Sequence, residues 1–352
     1  MNISEKYIKR CIELARNGLG TTYPNPMVGS VIVHEGKIIG EGWHKKAGQA
    51  HAEVNAINSV TNEGLLKDST IYVSLEPCSH FGKTPPCSDL IIEKGIKKVV
   101  IGTIDPFARV AGRGIKKLMD AGCKVKVGVL EEQCLELNKR FFTFHKKKRP
   151  YILLKWAQTQ DGFIAPETKA EKKPVWITNK YSGTLVHKWR SEEAAILVGT
   201  NTVLEDNPNL NVRKWTGEDP VRVIIDREMK IPQDTSVYNR NQKTIVVCSK
   251  KPDTKDEENL VFEEINFSEN IARDICDILY KYELQSLIIE GGTKTLQQFI
   301  YSNLWDEARI FTGKTRFEKG TKAPFLHGNL EKEKQIGGDN LKIYRNDRGD
   351  NF

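Results

Sequence analysis

Between His51 and Cys87 the chain offers one imidazole and two thiols in an order that constrains everything around it. His51-Ala52-Glu53-Val54-Asn55-Ala56-Ile57 opens the stretch, and Glu76-Pro77-Cys78 with Cys87 closes it. The intervening Thr70-Ile71-Tyr72-Val73-Ser74-Leu75 is β-branched and apolar, the pattern of a buried strand, while the His51 segment reads as the start of a helix. Three protein ligands leave a tetrahedral metal with one open position, whereas a closed structural site takes four. Glu53 follows His51 by two residues and is not required as a ligand, so it is available to move protons. A structural metal, or three unrelated buried side chains, leaves that glutamate unexplained.

The His-x-Glu…Pro-Cys pattern is the signature of zinc nucleobase deaminases, in which an activated water attacks an amino-bearing ring carbon and the glutamate shuttles protons. The usual second half is Pro-Cys-x-x-Cys, but here residues 79–86 separate the two cysteines. Together with Pro24-Asn25-Pro26-Met27-Val28-Gly29 and Gly42-Trp43-His44, this segment resembles the deaminase half of the bifunctional riboflavin-biosynthesis deaminase/reductases. The resemblance implies an α/β fold in two parts. A cytidine-deaminase-like domain of α/β/α layers is expected over 1–146, and a dihydrofolate-reductase-like α/β domain over 150–352.

Size and charge fit two soluble domains. The 352 residues are 39% hydrophobic and 28% charged, enough for two separate cores. The net charge of +8 is unevenly spread: residues 1–149 hold 24 Lys and Arg against 15 Asp and Glu, the remainder 30 against 31. A basic surface attracts either nucleic acid or a phosphorylated small substrate. Part of the excess is only His145-Lys146-Lys147-Lys148-Arg149, which reads as a solvated boundary. Seven cysteines in a chain this long do not read as a disulfide framework. Met1-Asn2-Ile3-Ser4-Glu5-Lys6 lacks a signal-peptide core and no run approaches a membrane span, so a cytoplasmic protein without membrane contact is expected.

Periodicity predicts a helix over 7–17, a hairpin of 28–33 with 37–42, and a helix from about Ala50 to Val60 carrying His51 and Glu53 in its first turn. Further helices are expected over 88–94, 112–121 and 131–145, with strands at 70–75, 97–103 and 124–129. From Pro150 the pattern restarts. Strands are expected at 151–157, 195–199, 221–226, 244–248 and 285–289, with a helix reaching about Arg190. Gly291-Gly292 after the last strand reads by itself as a plain turn, and equally as a helix start open to an anion. The stretch 251–266 and the tail after about Gly328 carry no signal.

The family resemblance continues through Lys155-Trp156-Ala157 and Asp161-Gly162 and is most specific over Thr202–Arg213. It implies zinc held by His51, Cys78 and Cys87, with Glu53 as proton shuttle. Asn25 and His44 would then bind the pyrimidine, with Lys83, also a substrate-binding residue, and His80 near the mouth; His44 and His80 read equally as ordinary polar residues. In the second half it implies NADPH held by Ala157, Trp176, Thr202, Asp206 and the run Gly292, Thr293, Lys294, Thr295, Leu296, Gln297 and Gln298. Arg227 and Lys250 are candidates for the 2′-phosphate. Arg190, Leu210, Arg213 and Glu290 would hold substrate, the arginines taking its phosphate, and Lys155 would polarise the sugar. Inside an apolar strand, Lys155 also reads as half of a buried ion pair. The implied substrate is a phosphorylated pyrimidine, the implied assembly a homo-oligomer, dimer or tetramer. Three departures stand out: Phe107 and Ala108 in the Asp105–Gly114 loop, Pro174 where the family commonly has serine, and the insertion 169–173 before it. The competing class is a tRNA or other nucleic-acid base deaminase with an RNA-binding C-terminal half. The cysteine spacing and the uncharged balance of the second half speak against it.

Overall fold

The structure, a computed structural model, describes residues 2–79, 85–107, 111–169, 171, 173–253 and 256–347. The chain divides between Lys147 and Lys148 into two compact units. The first contains α1 (Ile3–Ala15), β1 (Gly29–His34), β2 (Lys37–Trp43), α2 (Ala52–Asn58), β3 (Thr70–Leu75), α3 (Cys87–Glu93), β4 (Lys98–Thr103), α4 (Arg113–Asp120), β5 (Lys124–Lys126), α5 (Glu131–Leu137) and α6 (Lys139–Lys147). Its strands lie in the order β2-β1-β3-β4-β5. The hairpin end is antiparallel and β3, β4 and β5 run parallel.

Alternation along the strands sends side chains to opposite faces. Tyr72, Val31 and Val100 pack with Ile8 and Cys11 of α1 and Cys134 of α5. Ile71, Val73, Val99 and Ile101 pack with Ala56 and Ile57 of α2, Ile91 of α3 and Leu118 of α4. Helices cover both faces, which is why the strands read as nearly unbroken apolar runs.

Several boundaries differ from the sequence expectation, and the first helix spans Ile3–Ala15 where periodicity predicts 7–17. The second helix starts at Ala52, not Ala50, and His51 is its extended N-cap (φ −71°, ψ 168°). The helix expected over 131–145 is interrupted at Asn138, whose amide group bonds both the N–H and the carbonyl of Met27. β5 ends at Lys126, and Gly128 turns the chain at φ 82°.

The second unit contains β6 (Tyr151–Gln158), β7 (Phe163–Pro166), α7 (Lys180–Glu192), β8 (Ala195–Gly199), α8 (Thr200–Asp206), β9 (Val221–Ile225), β10 (Thr244–Cys248), β11 (Leu260–Glu264), α9 (Ile271–Lys281), β12 (Ser286–Ile289), α10 (Thr293–Tyr301), β13 (Glu307–Thr312), β14 (Gly320–Lys322), β15 (Asn329–Ile336) and β16 (Asp339–Arg345). Nine of these strands form one sheet, β11-β10-β9-β8-β12-β6-β13-β16-β15, parallel from β11 to β13. The β15–β16 hairpin adds antiparallel strands at one edge. Leu154, Leu197 and Ile289 face one buried layer, while Leu153, Ile196 and Ile288 face the other with Val186 and Trp189 of α7. Each such side chain contributes roughly 1.5–3 kcal/mol by leaving water.

β11 and the β15–β16 hairpin occupy stretches that carry no sequence signal. Asn-Leu-Glu-Lys-Glu-Lys-Gln-Ile is exposed along most of β15, and its charges suit an edge strand that must not pair further. From β8 the chain moves outward to β11, then returns through β12 to lie between β8 and β6. By this topology the carboxyl ends of these strands are the place for a crevice of the kind in which α/β sheets bind ligands.

Gly42 sets how closely α2 approaches β2. A Cβ there would stand 2.4 Å from the Ala56 nitrogen and 2.7 Å from the Ala52 oxygen. Gly42→Ala is therefore expected to push α2 from the sheet and cost about 1–3 kcal/mol. Denaturant unfolding of the purified chain measures this, and a near-neutral result would show that α2 is not clamped here.

Candidate active sites

Three chain segments end at one point in the first unit. His51 precedes α2, Cys78 follows β3 and Cys87 opens α3. Their ligand atoms all lie within 4.8 Å of one another. His51 Nδ1 is 3.5 Å from Cys78 Sγ and 3.3 Å from Cys87 Sγ, and the Cys87 backbone N–H donates to Cys78 Sγ at 3.2 Å. The Cys78 thiol titrates below its usual range because Cys87 donates to its sulfur, helped by His51. Cys87 is correspondingly pushed up by that shared hydrogen bond and by burial. One imidazole and two sulfurs converging on a common point fit a zinc ion. Glu53 is 3% exposed; burial, then the neighbouring Cys78 charge, raise its pKa to about 7.

Glu76 is the residue of this site that the motif does not announce. Its carboxylate accepts four backbone N–H groups, from Asp105 (3.3 Å), Gly112 (2.9 Å), Gly114 (2.9 Å) and Ile115 (3.3 Å). The N-cap of α4, Gly112, has no capping side chain of its own, so Glu76 caps that helix from two residues before a metal ligand. Asp105 is buried beside it, accepts the Phe107 N–H at 2.8 Å, and is raised to about 7, mainly by burial.

Asn25 and His44 bond each other: Asn25 Nδ2 lies 3.1 Å from His44 Nε2, and His44 Nδ1 3.1 Å from the Ala50 carbonyl. A carbonyl only accepts, so Nδ1 carries the proton and Nε2 accepts from Asn25. Burial lowers the His44 pKa and keeps the ring neutral. The His44 and His51 rings are edge-to-face at 5.3 Å. Lys83 and His80 lie outside the described residues.

In the second unit the charged groups converge on Glu290, just past β12. Arg190 Nε and Nη2 donate to its two oxygens at 2.7 and 2.8 Å, and Lys155 Nζ is 3.5 Å from Oε2. Burial alone would raise Glu290, but Arg190 and Lys155 outweigh it and hold its pKa at about 2. Burial lowers Lys155, with Glu290 opposing. Arg190 also donates to the Asn211 carbonyl at 3.1 Å, so its guanidinium is largely committed to protein acceptors. Arg213 is exposed, and its side chain donates to Asn211 Oδ1 at 3.2 Å. Leu210 faces inward, 2% exposed within the core, which leaves only its backbone for a ligand.

Glycines shape the crevice beside this cluster. A Cβ on Gly291 would meet Thr202 Oγ1 at 2.8 Å, and one on Gly199 would meet Thr295 Oγ1 at 2.7 Å. Gly292, at φ 73°, is the N-cap of α10 and leads into the N–H groups of Thr293 and Lys294. Backbone exposed in this way at a helix start fits the pyrophosphate of a dinucleotide, the group that NADPH would place there. Several expected contacts are otherwise occupied. Leu296 is fully buried in the core, Thr293 Oγ1 donates to the Lys322 carbonyl, and Gln297 exchanges hydrogen bonds with the Phe325 backbone. Gln298 is half-buried on the same helix, and Ala157 is half-buried in β6. Asp206 is ion-paired with Lys169 at 2.6 Å. Trp176 is 63% exposed, with Lys214 Nζ 5.3 Å above its ring. Arg227 and Lys250 are exposed, past the ends of adjacent strands β9 and β10, and Arg227 lies over the Phe267 ring.

Comparison with known proteins assigns both halves. Residues 1–103 match the cytidine and deoxycytidylate deaminase zinc-binding region, and residues 150–315 match the RibD C-terminal domain. The riboflavin biosynthesis protein RibD of Aquifex aeolicus (strain VF5) is 43% identical over 317 residues, 88% of this chain and 86% of the relative. The chain belongs to the RibD family. RibD of Actinobacillus pleuropneumoniae is 39% identical, with 96% and 88% of the two chains covered. The crystal structure of a Thermotoga maritima diaminohydroxyphosphoribosylaminopyrimidine deaminase/5-amino-6-(5-phosphoribosylamino)uracil reductase has a TM-score of 0.88 at 37% identity, covering 98% of this chain and 99% of that one. Acinetobacter baumannii RibD gives 0.87 at 31%, covering 97% and 98%. The chain is thus a zinc-dependent deaminase joined to an NADPH-dependent reductase, serving riboflavin biosynthesis. The nucleic-acid deaminase reading is not favoured, because the second half matches a reductase domain.

Two outcomes are expected. Glu76→Ala leaves four N–H groups without their acceptor and should cost about 1–3 kcal/mol in stability, with faster zinc loss to a chelator; unchanged release would show that Glu76 does not support the metal loop. The second concerns His187, which burial, then Arg190 and Arg213, hold at about 4 against an ordinary 6.5. Between those values the unfolded chain binds a proton that the folded one does not. The second unit should therefore lose stability as pH falls through this window, by on the order of 2 kcal/mol. Below 4.5 the depressed Glu290 adds to the loss. Urea unfolding across this range measures the slope, and His187→Asn should flatten its upper part.

Proposed function

We propose that this RibD chain catalyses two consecutive steps on one phosphorylated pyrimidine. In the first, 2,5-diamino-6-ribosylamino-4(3H)-pyrimidinone 5′-phosphate loses its ring 2-amino group as ammonia. In the second, the ribosyl side chain of the product is reduced to ribityl. The observation that carries the reading is the convergence of His51, Cys78 and Cys87 beside a buried Glu53 that is not part of the ligand set.

Zinc, when bound, supplies the Lewis acidity that makes water a nucleophile near neutral pH. His51, Cys78 and Cys87 hold it. Glu53 would take the first proton of the attacking water and deliver it to the ring nitrogen, then take the second, from the hydroxyl so formed, and deliver it to the departing amine. Its pKa of about 7 suits a group that must gain and lose a proton in one cycle. Asn25 orients the pyrimidine by hydrogen bonds, neutral His44 holds the Asn25 amide in place for it, and Lys83 serves the same substrate.

NADPH, when bound, supplies the hydride for the second step. Gly292 and the first N–H groups of α10 receive its pyrophosphate, with Ala157, Trp176, Thr202, Asp206, Lys294, Thr295 and Gln298 along the crevice and Arg227 at the 2′-phosphate. Lys155 directs its ammonium at the sugar oxygen, and Glu290, clamped by Arg190, positions the sugar hydroxyls. Arg213, which keeps an exposed guanidinium, takes the substrate phosphate. The assembly is a homo-oligomer, dimer or tetramer, in the cytoplasm; sedimentation of the purified chain tests the first statement.

Glu53→Gln is expected to retain one zinc per chain while ammonia release falls about 10²–10⁴-fold. NADPH oxidation on the deaminated substrate should persist. Metal analysis with separate ammonia and NADPH assays measures all three, and surviving ammonia release would reject Glu53 as the proton shuttle.

A further inference from the structure

Among the described residues, one buried titratable group beside the reductase cluster has no role in the steps above. His187 is 4% exposed on α7, three residues before Arg190 and on the same side of the helix. Its Nδ1 accepts the backbone N–H of Arg213 at 3.3 Å. Arg190 donates to the Asn211 carbonyl at 3.1 Å, and the Val212 N–H donates to Asp219 Oδ1 at 2.6 Å. The segment 211–213 is therefore pinned at three successive residues, two of them by α7. Arg213 itself extends an exposed guanidinium from the last of these points.

We propose that His187 is a positioning residue of the reductase: its neutral ring fixes the Arg213 backbone so that the guanidinium meets the substrate phosphate. The inference rests on the assignment of Arg213 to that phosphate. An acceptor is required at this position, because the group facing it is a backbone N–H. Lysine or arginine would supply none, and a protonated imidazole would lose its acceptor while facing two guanidiniums, Arg190 of α7 and Arg213 of the following loop. Two carboxylates face this group of charges: Glu290 past β12, paired with Arg190 and with Lys155 of β6, acts on the ring, and Asp219 of the same loop acts on Arg190. Burial and the two arginines keep the ring unprotonated at neutral pH, so the acceptor is permanently available.

The test is steady-state NADPH oxidation by the full-length chain on the deaminated 5′-phosphate and on its dephosphorylated counterpart. His187→Ala is expected to raise KM for the phosphorylated substrate about tenfold, with kcat changed less than about twofold. KM for the dephosphorylated compound should not move. His187→Asn, which keeps an acceptor near the Nδ1 position, should recover most of the loss. In an Arg213→Ala background, His187→Ala should add nothing further, because the two act as one unit. Additive losses in the double variant, equal losses on both substrates, or an unchanged KM in His187→Ala would each overturn the inference alone. If Arg213→Ala keeps the full preference for the phosphorylated substrate, the Arg213 assignment fails and the inference with it. Should His187→Ala not fold, His187→Gln, whose longer amide displaces the acceptor, reads the same difference between substrates.

Discussion

A strand buried on both faces leaves little place for working polar groups before its ends, and both reaction centres of this chain are built under that constraint, with Lys155 inside β6 tolerated through its pairing with Glu290. In the first unit, β3 runs apolar to Leu75 and only then delivers Glu76 and Cys78. In the second, β12 runs apolar to Ile289 before Glu290 and the two glycines. Parallel pairing sets the neighbouring strand ends at the same level, so helices entered from those ends bring their first residues to the same edge. His51, Cys87 and Gly292 are all such first residues, standing at the cap or opening position of their helices.

Two of the buried carboxylates are compensated, each in a different way. Glu290 is far below the usual carboxylate range because two cations stand against it, and removing either would leave an uncompensated charge in a low-dielectric site. Glu76 solves the same problem with neutral partners, its carboxylate spread over four backbone N–H groups. Glu53 and Asp105 lack that support, and burial pushes both towards neutrality. Among the buried carboxylates, Glu290 is thus held as an anion by its two cations, while Glu53 and Asp105 are able to change protonation near pH 7.

Much of this was legible before any coordinates. The His-x-Glu and Pro-Cys pieces, the apolar run between them and the restart of the pattern at Pro150 are local signals, and local signals survive in one dimension. Glu76 was not legible, since its four donors come from residues 29 to 39 positions away. His187 was equally hidden, because an isolated histidine in a helix carries no spacing rule. The β15–β16 hairpin escaped because an exposed edge strand is chosen for solubility and lacks the apolar alternation by which strands are recognised. Leu210 and Leu296 fall within matching motifs, yet their side chains serve the core.

By itself the sequence determined the chemistry on offer: the donor set for zinc, a glutamate outside that set, two α/β halves, and glycines where backbone must come close to another group. Only the tertiary structure decided which charges are spent on each other and which remain exposed. Arg190 and Arg213 look alike in the chain, but one is clamped to a buried carboxylate and the other reaches solvent. The physical reason is that pairing depends on distance and desolvation, and both are set by how strands and helices pack.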